Sequence, residues 1–304
     1  MATSHEIITP PAVRNWLLAS ADPTQADLLR ESFATDVEYD FDGRRRVGID
    51  AVLEQLGHMP RGRFANVSRR VIDRGSGRYT VRLSNPDGTP MPSPGGPMLA
   101  MDFELGLNQR GLIQTISPNP QHAEPADLQP ALRLGDVIPE FSLPDVHGVD
   151  TRWFDPSAKA SVLIFIANGC PWALGWHDRI QDVVRDYRQQ GVRVVQINAN
   201  DERVSAADAL DASRRRIDAG EFASPLLIDE GQTVARRLGA RHTPEVFVID
   251  RDHELAYHGA PDADSERPEL HAEWLRAALD GVLADAPVTL RETKPMGCTI
   301  KWTL

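Results

Sequence analysis

At 304 residues the chain is longer than one small core requires, and two domains are its natural division. Hydrophobic residues make up 41% and charged residues 25%, the balance of a globular chain and not of a disordered or membrane-embedded one. A formal charge of −11 argues against nucleic acid as a partner, because phosphate binding needs a basic face and the runs Arg44-Arg45-Arg46 and Arg214-Arg215-Arg216 have acids close by. Each run reads as solvated surface, with anion binding as the alternative for the first. Two cysteines are too few for a secreted disulfide scaffold, and no apolar run approaches the ~20 residues of a membrane helix. The opening stretch MATSHEIITPPAVRNW lacks a positive segment followed by an apolar one, so a cytoplasmic location without a membrane partner is expected.

Pro10-Pro11 leads into a helix through Leu18, and residues 22–33 read as a second helix capped by Asp22 or Thr24. Residues 37–41 form a short strand, and 48–53 open a third helix with Asp50 in its first turn. After Phe64 the pattern changes to strands at 67–73, 79–84, 98–107 and 112–117, separated by turns bearing Gly, Asn and Pro. Helices followed by an antiparallel meander give an α+β domain. Alternation along 98–107 sets Asp102 and Glu104 on one face and Met101, Phe103 and Leu105 on the other, so an inward apolar face leaves both acids in solvent.

This order, and the stretch ESFATDVEYDFDGRRRVGIDAVLEQL at 31–56, resembles the nuclear-transport-factor-2-like (SnoaL-like) cone fold over residues 9–120. The resemblance implies a curved sheet around a cavity that hosts a small ligand, a catalytic acid or a dimer contact. Members commonly aim an Asp or His into the cavity from the later strands. LIQTIS at 112–117 carries neither, so ligand binding or homodimerisation is expected here rather than catalysis. PNPQHAEPADLQP at 118–130 is proline-rich and without apolar period, a semi-rigid spacer. The division is therefore 1–120, a linker at 121–131, and 132–304.

In the second domain SVLIFIANGCPWALGW runs from Ser161 to Trp176. Residues 162–166 are too short for a helix and rich enough in β-branched side chains for a buried parallel strand. Asn168-Gly169 ends the strand, Cys170 follows, Pro171 suits a first helical turn, and 172–188 continue with helical spacing. A thiol is thus placed where a strand hands over to a helix N-terminus, where backbone N–H groups and the helix dipole favour thiolate. The alternative is a small buried hydrophobe. Helix, strand (192–198), helix, strand (225–229) and helix follow, and Arg241-His242-Thr243-Pro244 precedes the apolar run 246–249.

These landmarks resemble the thioredoxin-like superfamily, α/β in class, in which strand, cysteine and helix form a redox centre and a cis-proline faces the cysteine. LRLGDVIPEFSLPDVHG at 132–148 is similar to the opening of the peroxiredoxin-related alkyl hydroperoxide reductase and thiol-specific antioxidant branch, and the tail KPMGCTIKW at 294–302 resembles that of a bacterial subgroup of thioredoxin-like proteins. The resemblance implies Cys170 as nucleophile and Thr243-Pro244 as the cis pair beside it. Dithiol oxidoreductases carry a second cysteine three residues on; Ala173 stands there, and the other thiol is Cys298, after a helix at 268–283. A tail folded back over the site makes Cys298 the resolving thiol, with Gly297 allowing close approach; a buried tail residue is the alternative. Peroxiredoxins carry Pro-x-x-x-Thr-x-x-Cys, and the equivalent positions are Leu163 and Ala167, so exchange with a protein or small-molecule thiol or disulfide is favoured over peroxide reduction.

His242 is expected near Cys170, as an imidazolium that lowers the thiol pKa or as a proton carrier, or else as a loop residue. Trp172 and Trp176, with Pro171, can shield the disulfide or stack a planar substrate, although core packing is the default. No cofactor is expected. Cys170, Cys298, His242 and His177 form an alternative copper or zinc set without any local spacing signal, His177 otherwise being a partly exposed helix residue. A metal-handling protein and a non-catalytic small-molecule-binding accessory protein of a biosynthetic pathway therefore remain as other functional classes.

Overall fold

The computed structural model describes residues 9–22, 25, 27–41, 44–57, 67–89, 91, 98–122 and 124–303. The expected cap at Thr24 and the change of pattern at Phe64 lie outside them. Residues 1–123 and 124–304 form two compact units. Among the described residues no helix is long and apolar enough to cross a membrane.

The first unit places α1 (Pro11–Ala21), α2 (Asp27–Ser32) and α3 (Ile49–Gly57) with a six-stranded sheet ordered β2-β1-β6-β5-β4-β3. Its strands are β1 (Phe33–Phe41), β2 (Arg44–Val47), β3 (Ser68–Gly75), β4 (Arg78–Ser84), β5 (Met98–Leu107) and β6 (Ile113–His122), antiparallel apart from the β1–β6 pair. Val13 and Trp16 of α1 are buried with Val81, Leu83, Phe103, Leu105 and Ile116 of the sheet. The Trp16 and Phe103 rings meet edge to face at 5.2 Å.

Several local expectations change. The second helix is short, and β1 begins at Phe33 because that residue already pairs with Ile113 of β6. The arginine run, expected at the surface, does expose Arg45 and Arg46, and it forms β2, an edge strand whose charges discourage further pairing. Strand β6 continues through Pro118 and Pro120, opposite Phe103 and Met101 of β5, where one spacer was expected. Its pairing with β1 ends at Ile116, so the prolines sit where only one edge is bonded. Asp102 is not in solvent: it is buried beneath its cross-strand neighbour Arg82, in a bidentate pair at 2.5 and 2.7 Å. Glu104 accepts from the Thr80 hydroxyl at 2.8 Å.

The second unit is built on a five-stranded sheet ordered β11-β10-β9-β13-β14. Central β9 (Ala160–Ile166) is parallel to β10 (Val192–Asn198), which is parallel to β11 (Leu226–Ile228); β13 (Glu245–Ile249) runs antiparallel to β9 and to β14 (Leu255–Gly259). Every residue of β9 is buried, which explains its continuous apolar sequence. Val162, Ile164 and Ile166 face α4 (Pro171–Arg188) and α7 (Glu273–Leu283), while Leu163 and Phe165 face α6 (Thr233–Leu238) and the tail residues Ile300 and Trp302. The hairpin β7 (Ser142–Pro144) and β8 (Asp150–Arg152) precedes the sheet, and α5 (Leu210–Asp218) follows β10. Residues 124–131 are not a free spacer: Leu128 packs into the α6-side core and the Gln129 N–H bonds the Arg236 carbonyl. The helix expected at 268–283 is interrupted, since His271 and Ala272 take positive φ between a short 3-10 turn and α7.

A buried polar knot holds residues 260–272 against α4. Asp262, wholly inaccessible, accepts from Trp176 Nε1 at 2.6 Å, Arg179 Nη1 at 2.6 Å and the Ala272 N–H at 2.9 Å. Arg179 also donates to the carbonyls of Gly175, Asp264, Ser265 and Arg267. Removing one partner of a buried ion pair strands the other charge, which costs about 3–5 kcal/mol. Asp262→Ala is therefore expected to lower stability by about 3 kcal/mol or more in urea unfolding, and Asp262→Ala with Arg179→Met to recover part of the loss; a single variant as stable as wild type would refute this role.

Candidate redox site

The site is built where β9 meets α4. Asn168 anchors the connecting turn with its whole polar surface: its N–H donates to Asp208 Oδ1 at 2.5 Å, Nδ2 to Ser213 Oγ and the Ala207 carbonyl, and Oδ1 accepts from Arg216. Gly169 leaves little spare room, since a Cβ there would lie 3.0 Å from the Ala207 Cβ, a tight contact. Cys170 is the N-cap of α4, with extended φ and ψ of −84° and 118°, and Pro171 occupies the first turn. The Ala173 N–H points at the Cys170 sulfur, 3.5 Å away, so an unsatisfied helical donor faces the thiol.

Across from Cys170 lies β12 (His242–Thr243), followed by a cis Thr243–Pro244 bond. Cys170 Sγ–H donates to the Thr243 carbonyl at 2.8 Å. The tail returns as β15 (Cys298–Thr299), antiparallel to β12, with Cys298 opposite Thr243 and Thr299 opposite His242. Gly297 makes this approach possible, because a Cβ at that position would overlap the Thr243 carbonyl. Further bonds pin the tail: Ile300 N–H to the Arg241 carbonyl, Lys301 N–H to Asn200 Oδ1, and the Lys301 carbonyl accepting from the Asp201 N–H and Gln232 Nε2.

Cys170 is only 2% exposed and Cys298 is half-buried. A hydrogen bond from the Cys298 thiol is the largest influence on Cys170; it outweighs burial and, with the backbone N–H groups of Ala173 and Cys298 and the Thr243 side chain, brings the Cys170 pKa down to about 6. The Thr243 carbonyl acts the other way, since it can only hold the protonated thiol.

Of the residues singled out by sequence, Cys170, Cys298, Thr243 and Pro244 come together, and Pro171 is exposed beside them. His242 sits beside Glu245, its Nδ1 3.8 Å from Oε2. Alternation along β12 sends successive side chains to opposite faces, so when Thr243 serves the cysteine His242 turns away. His177 is also elsewhere, with Nε2 3.0 Å from the Glu221 carbonyl and its ring edge to face with Phe222. The copper or zinc set is therefore not assembled, and among the described residues no three His, Cys, Asp or Glu side chains are grouped to hold a metal. Trp172 is buried and Trp176 wholly so, its Nε1 spent on Asp262; packing claims both rings, and neither is open to a substrate.

Three residues of the surroundings escaped the sequence reading. Asp208 is buried behind the Asn168 turn, and Lys301 is buried in the tail. Glu245 is buried after Pro244, where Oε2 accepts the N–H groups of Arg241 and His242 at 2.7 Å and Oε1 bonds His258 Nε2 at 2.7 Å. Burial pushes the Glu245 carboxyl up, but hydrogen bonds and charge from the two histidines prevail and hold it down. Only the tail hinted at one of them, through a lysine between two apolar residues in TIKW.

Fold and site define a thioredoxin-like redox domain. Residues 134–258 match the AhpC/TSA family, so the second unit carries an AhpC/TSA-type thioredoxin-like domain. A crystal structure of a hypothetical protein from Sinorhizobium meliloti 1021 is 33% identical, covering 57% of this chain and 97% of that one, with a TM-score of 0.54. One of an uncharacterized conserved protein from Geobacillus kaustophilus is likewise 33% identical, covering 58% and 97%, with a TM-score of 0.52. The thiol-disulfide oxidoreductase ResA of Halalkalibacterium halodurans is 24% identical over 123 residues, 40% of this chain and 66% of that protein. The match thus spans just under two thirds of that curated relative.

A depressed thiol pKa means that reactivity rises with pH through about 6 and levels off above it. In Cys298→Ala, where Cys170 is the sole thiol, the thiolate absorbance of the reduced protein is expected to titrate at a distinctly higher pH, whereas His242→Ala leaves the wild-type midpoint in place. An unchanged midpoint in Cys298→Ala would show that the tail thiol does not set the Cys170 pKa.

Proposed function

We propose that the protein is a thiol–disulfide oxidoreductase that cycles Cys170 and Cys298 between dithiol and disulfide. The observation that carries this reading is the convergence of the two cysteines on Thr243: Cys170, at a helix N-terminus, bonds the Thr243 carbonyl, and Cys298 lies opposite Thr243 on the returning strand. In the oxidising direction for the pair, the Cys170 thiolate attacks one sulfur of a disulfide RSSR and expels RS⁻. Cys298, losing its proton, then attacks Cys170 Sγ and expels the second RS⁻. The two leaving thiolates take up protons, giving a Cys170–Cys298 disulfide and two RSH; the reverse reduces the pair.

Substrate is a protein or small-molecule thiol or disulfide, the class on which the match to a thiol-disulfide oxidoreductase also bears. The burial of Cys170 favours a small reactant for the first attack, or a displacement of the tail. Leu163 and Ala167, where peroxiredoxins offer Pro and Thr, are buried apolar side chains without a hydroxyl for a peroxide, which favours disulfide exchange. Two cysteines in the whole chain suit a reducing compartment, and we assign it to the cytoplasm. For the first unit we propose the nuclear-transport-factor-2-like role of binding a small ligand or mediating homodimerisation; the engagement of Asp102 by Arg82 speaks against a free catalytic acid there.

Treatment of the reduced full chain with oxidised glutathione is expected to remove two hydrogens by intact mass and to yield a 170–298 cross-linked peptide that dithiothreitol releases. Cys170→Ser is expected to abolish turnover in a disulfide reductase assay, and Cys298→Ser to accumulate a glutathione adduct on Cys170. Wild-type turnover in Cys298→Ser would remove the resolving role.

A further inference from the structure

The two cysteines come from segments far apart in sequence, Cys170 after the Asn168-Gly169 turn and Cys298 on the returning tail, and a buried carboxylate lies on a bonded path between them. Asp208, 4% exposed, stands in the loop between β10 and α5. Its Oδ1 accepts the N–H of Asn168, two residues before Cys170, at 2.5 Å. Oδ2 accepts from Ser205 Oγ at 2.6 Å and from Asn200 Nδ2 at 2.9 Å. Asn200 Oδ1 in turn accepts the N–H of Lys301, three residues after Cys298, at 2.8 Å. The path Asn168, Asp208, Asn200, Lys301 therefore joins the Cys170 turn to the Cys298 tail without passing through either sulfur.

The loop that carries Asp208 touches both segments elsewhere as well. On the turn, Ala207 lies against Gly169, and its carbonyl accepts from Asn168 Nδ2 at 3.1 Å. On the tail, the Asp201 N–H donates to the Lys301 carbonyl at 2.9 Å, and the Asp201 carboxylate accepts from the Thr303 hydroxyl at 2.7 Å. Three neutral donors converge on Asp208, a backbone N–H, a hydroxyl and a side-chain amide, and its charge is kept among them. A carboxylate meets them with two accepting oxygens, whereas an amide in its place has one and turns an NH₂ toward a donor. Asn200 cannot flip to suit such an amide, because its own oxygen is engaged by the Lys301 N–H.

We propose that Asp208 is a positioning residue of the redox pair, fixing the Cys170 turn and the Cys298 tail relative to each other and so setting the effective concentration of one thiol at the other. The inference rests on Cys170 and Cys298 forming a dithiol–disulfide couple, and adds what ties the couple together behind the sulfurs. Thr243 links the same two segments through its carbonyl on Cys170 and its pairing with Cys298. Cutting the path at Asp208 or at Asn200 loosens the turn against the tail, and the pair closes less readily.

The test is the equilibrium of the full chain with glutathione, in which protein dithiol and one oxidised glutathione give the Cys170–Cys298 disulfide and two reduced glutathione, scored by intact mass after acid quench. Asp208→Asn removes the charge and an acceptor, while Asn200→Ala keeps the charge and cuts the path; each is expected to lower the equilibrium constant about tenfold. The double variant Asp208→Asn with Asn200→Asp conserves net charge and rebuilds the path with donor and acceptor exchanged, the amide at 208 donating to the carboxylate at 200. It is expected to return to within about threefold of wild type. Thermal unfolding is followed on every sample, and Asn200→Ala carries the test if Asp208→Asn does not fold. A wild-type constant in Asn200→Ala overturns the inference, since a fall confined to Asp208→Asn is then an effect of charge; so does a folded double variant as impaired as Asp208→Asn. Wild type that forms no 170–298 disulfide removes the couple and the inference with it, whereas a cross-linking wild type with unmoved variants sinks the positioning role only.

Discussion

The backbone pairing of Cys298 with Thr243 is the constraint on which the site depends. Cys170 has no second sulfur nearby in sequence, and the residue a turn further along α4 is alanine. A thiol from the chain's far end takes the place of a local partner. Closing so long a loop costs little more than closing a short one, because loop entropy grows only logarithmically with length. Against it stand the ladder on β12, the bonds at Lys301 and the burial of Ile300 and Trp302, side chains worth about 1.5–3 kcal/mol each when removed from water. The tail is part of the core, and its cysteine is held in place by apolar neighbours rather than by its own chemistry.

Around this pairing the unit buries polar groups whose bonds tie its segments together, His242 Nδ1 being left without a hydrogen-bond partner. Asn168 uses donor and acceptor atoms to tie the pre-helix turn to Asp208, Ser213 and Arg216. Glu245 satisfies the N–H groups of residues 241 and 242, just before the strand pair that brings in the tail. Such groups cost more unmade than they return when made, so these bonds favour one arrangement of the strand end, the helix start and the returning tail. The thiol sits where these three meet, among helix N–H donors, a carbonyl and a second sulfur.

Some of this was legible in the chain. The run 162–166 announced a doubly covered strand, proline after Cys170 announced a helix start, and Gly297 before Cys298 announced a close approach; each is a local requirement that the backbone imposes on residue type. The misreadings share a different cause. Whether Asp102 is covered by Arg82 and whether Trp176 meets substrate or Asp262 both depend on a neighbour distant in sequence.

The sequence by itself determined the order of elements in the second unit and the placement of one thiol at a helix N-terminus, because periodicity, proline and glycine act over a few residues. Only the tertiary structure decided that Cys298 returns opposite Thr243, the residue that bonds that thiol, while His177 turns to the Glu221 carbonyl and His242 to Glu245. Register between β12 and β15 sets those neighbours, and register is a property of two strands together that neither carries alone.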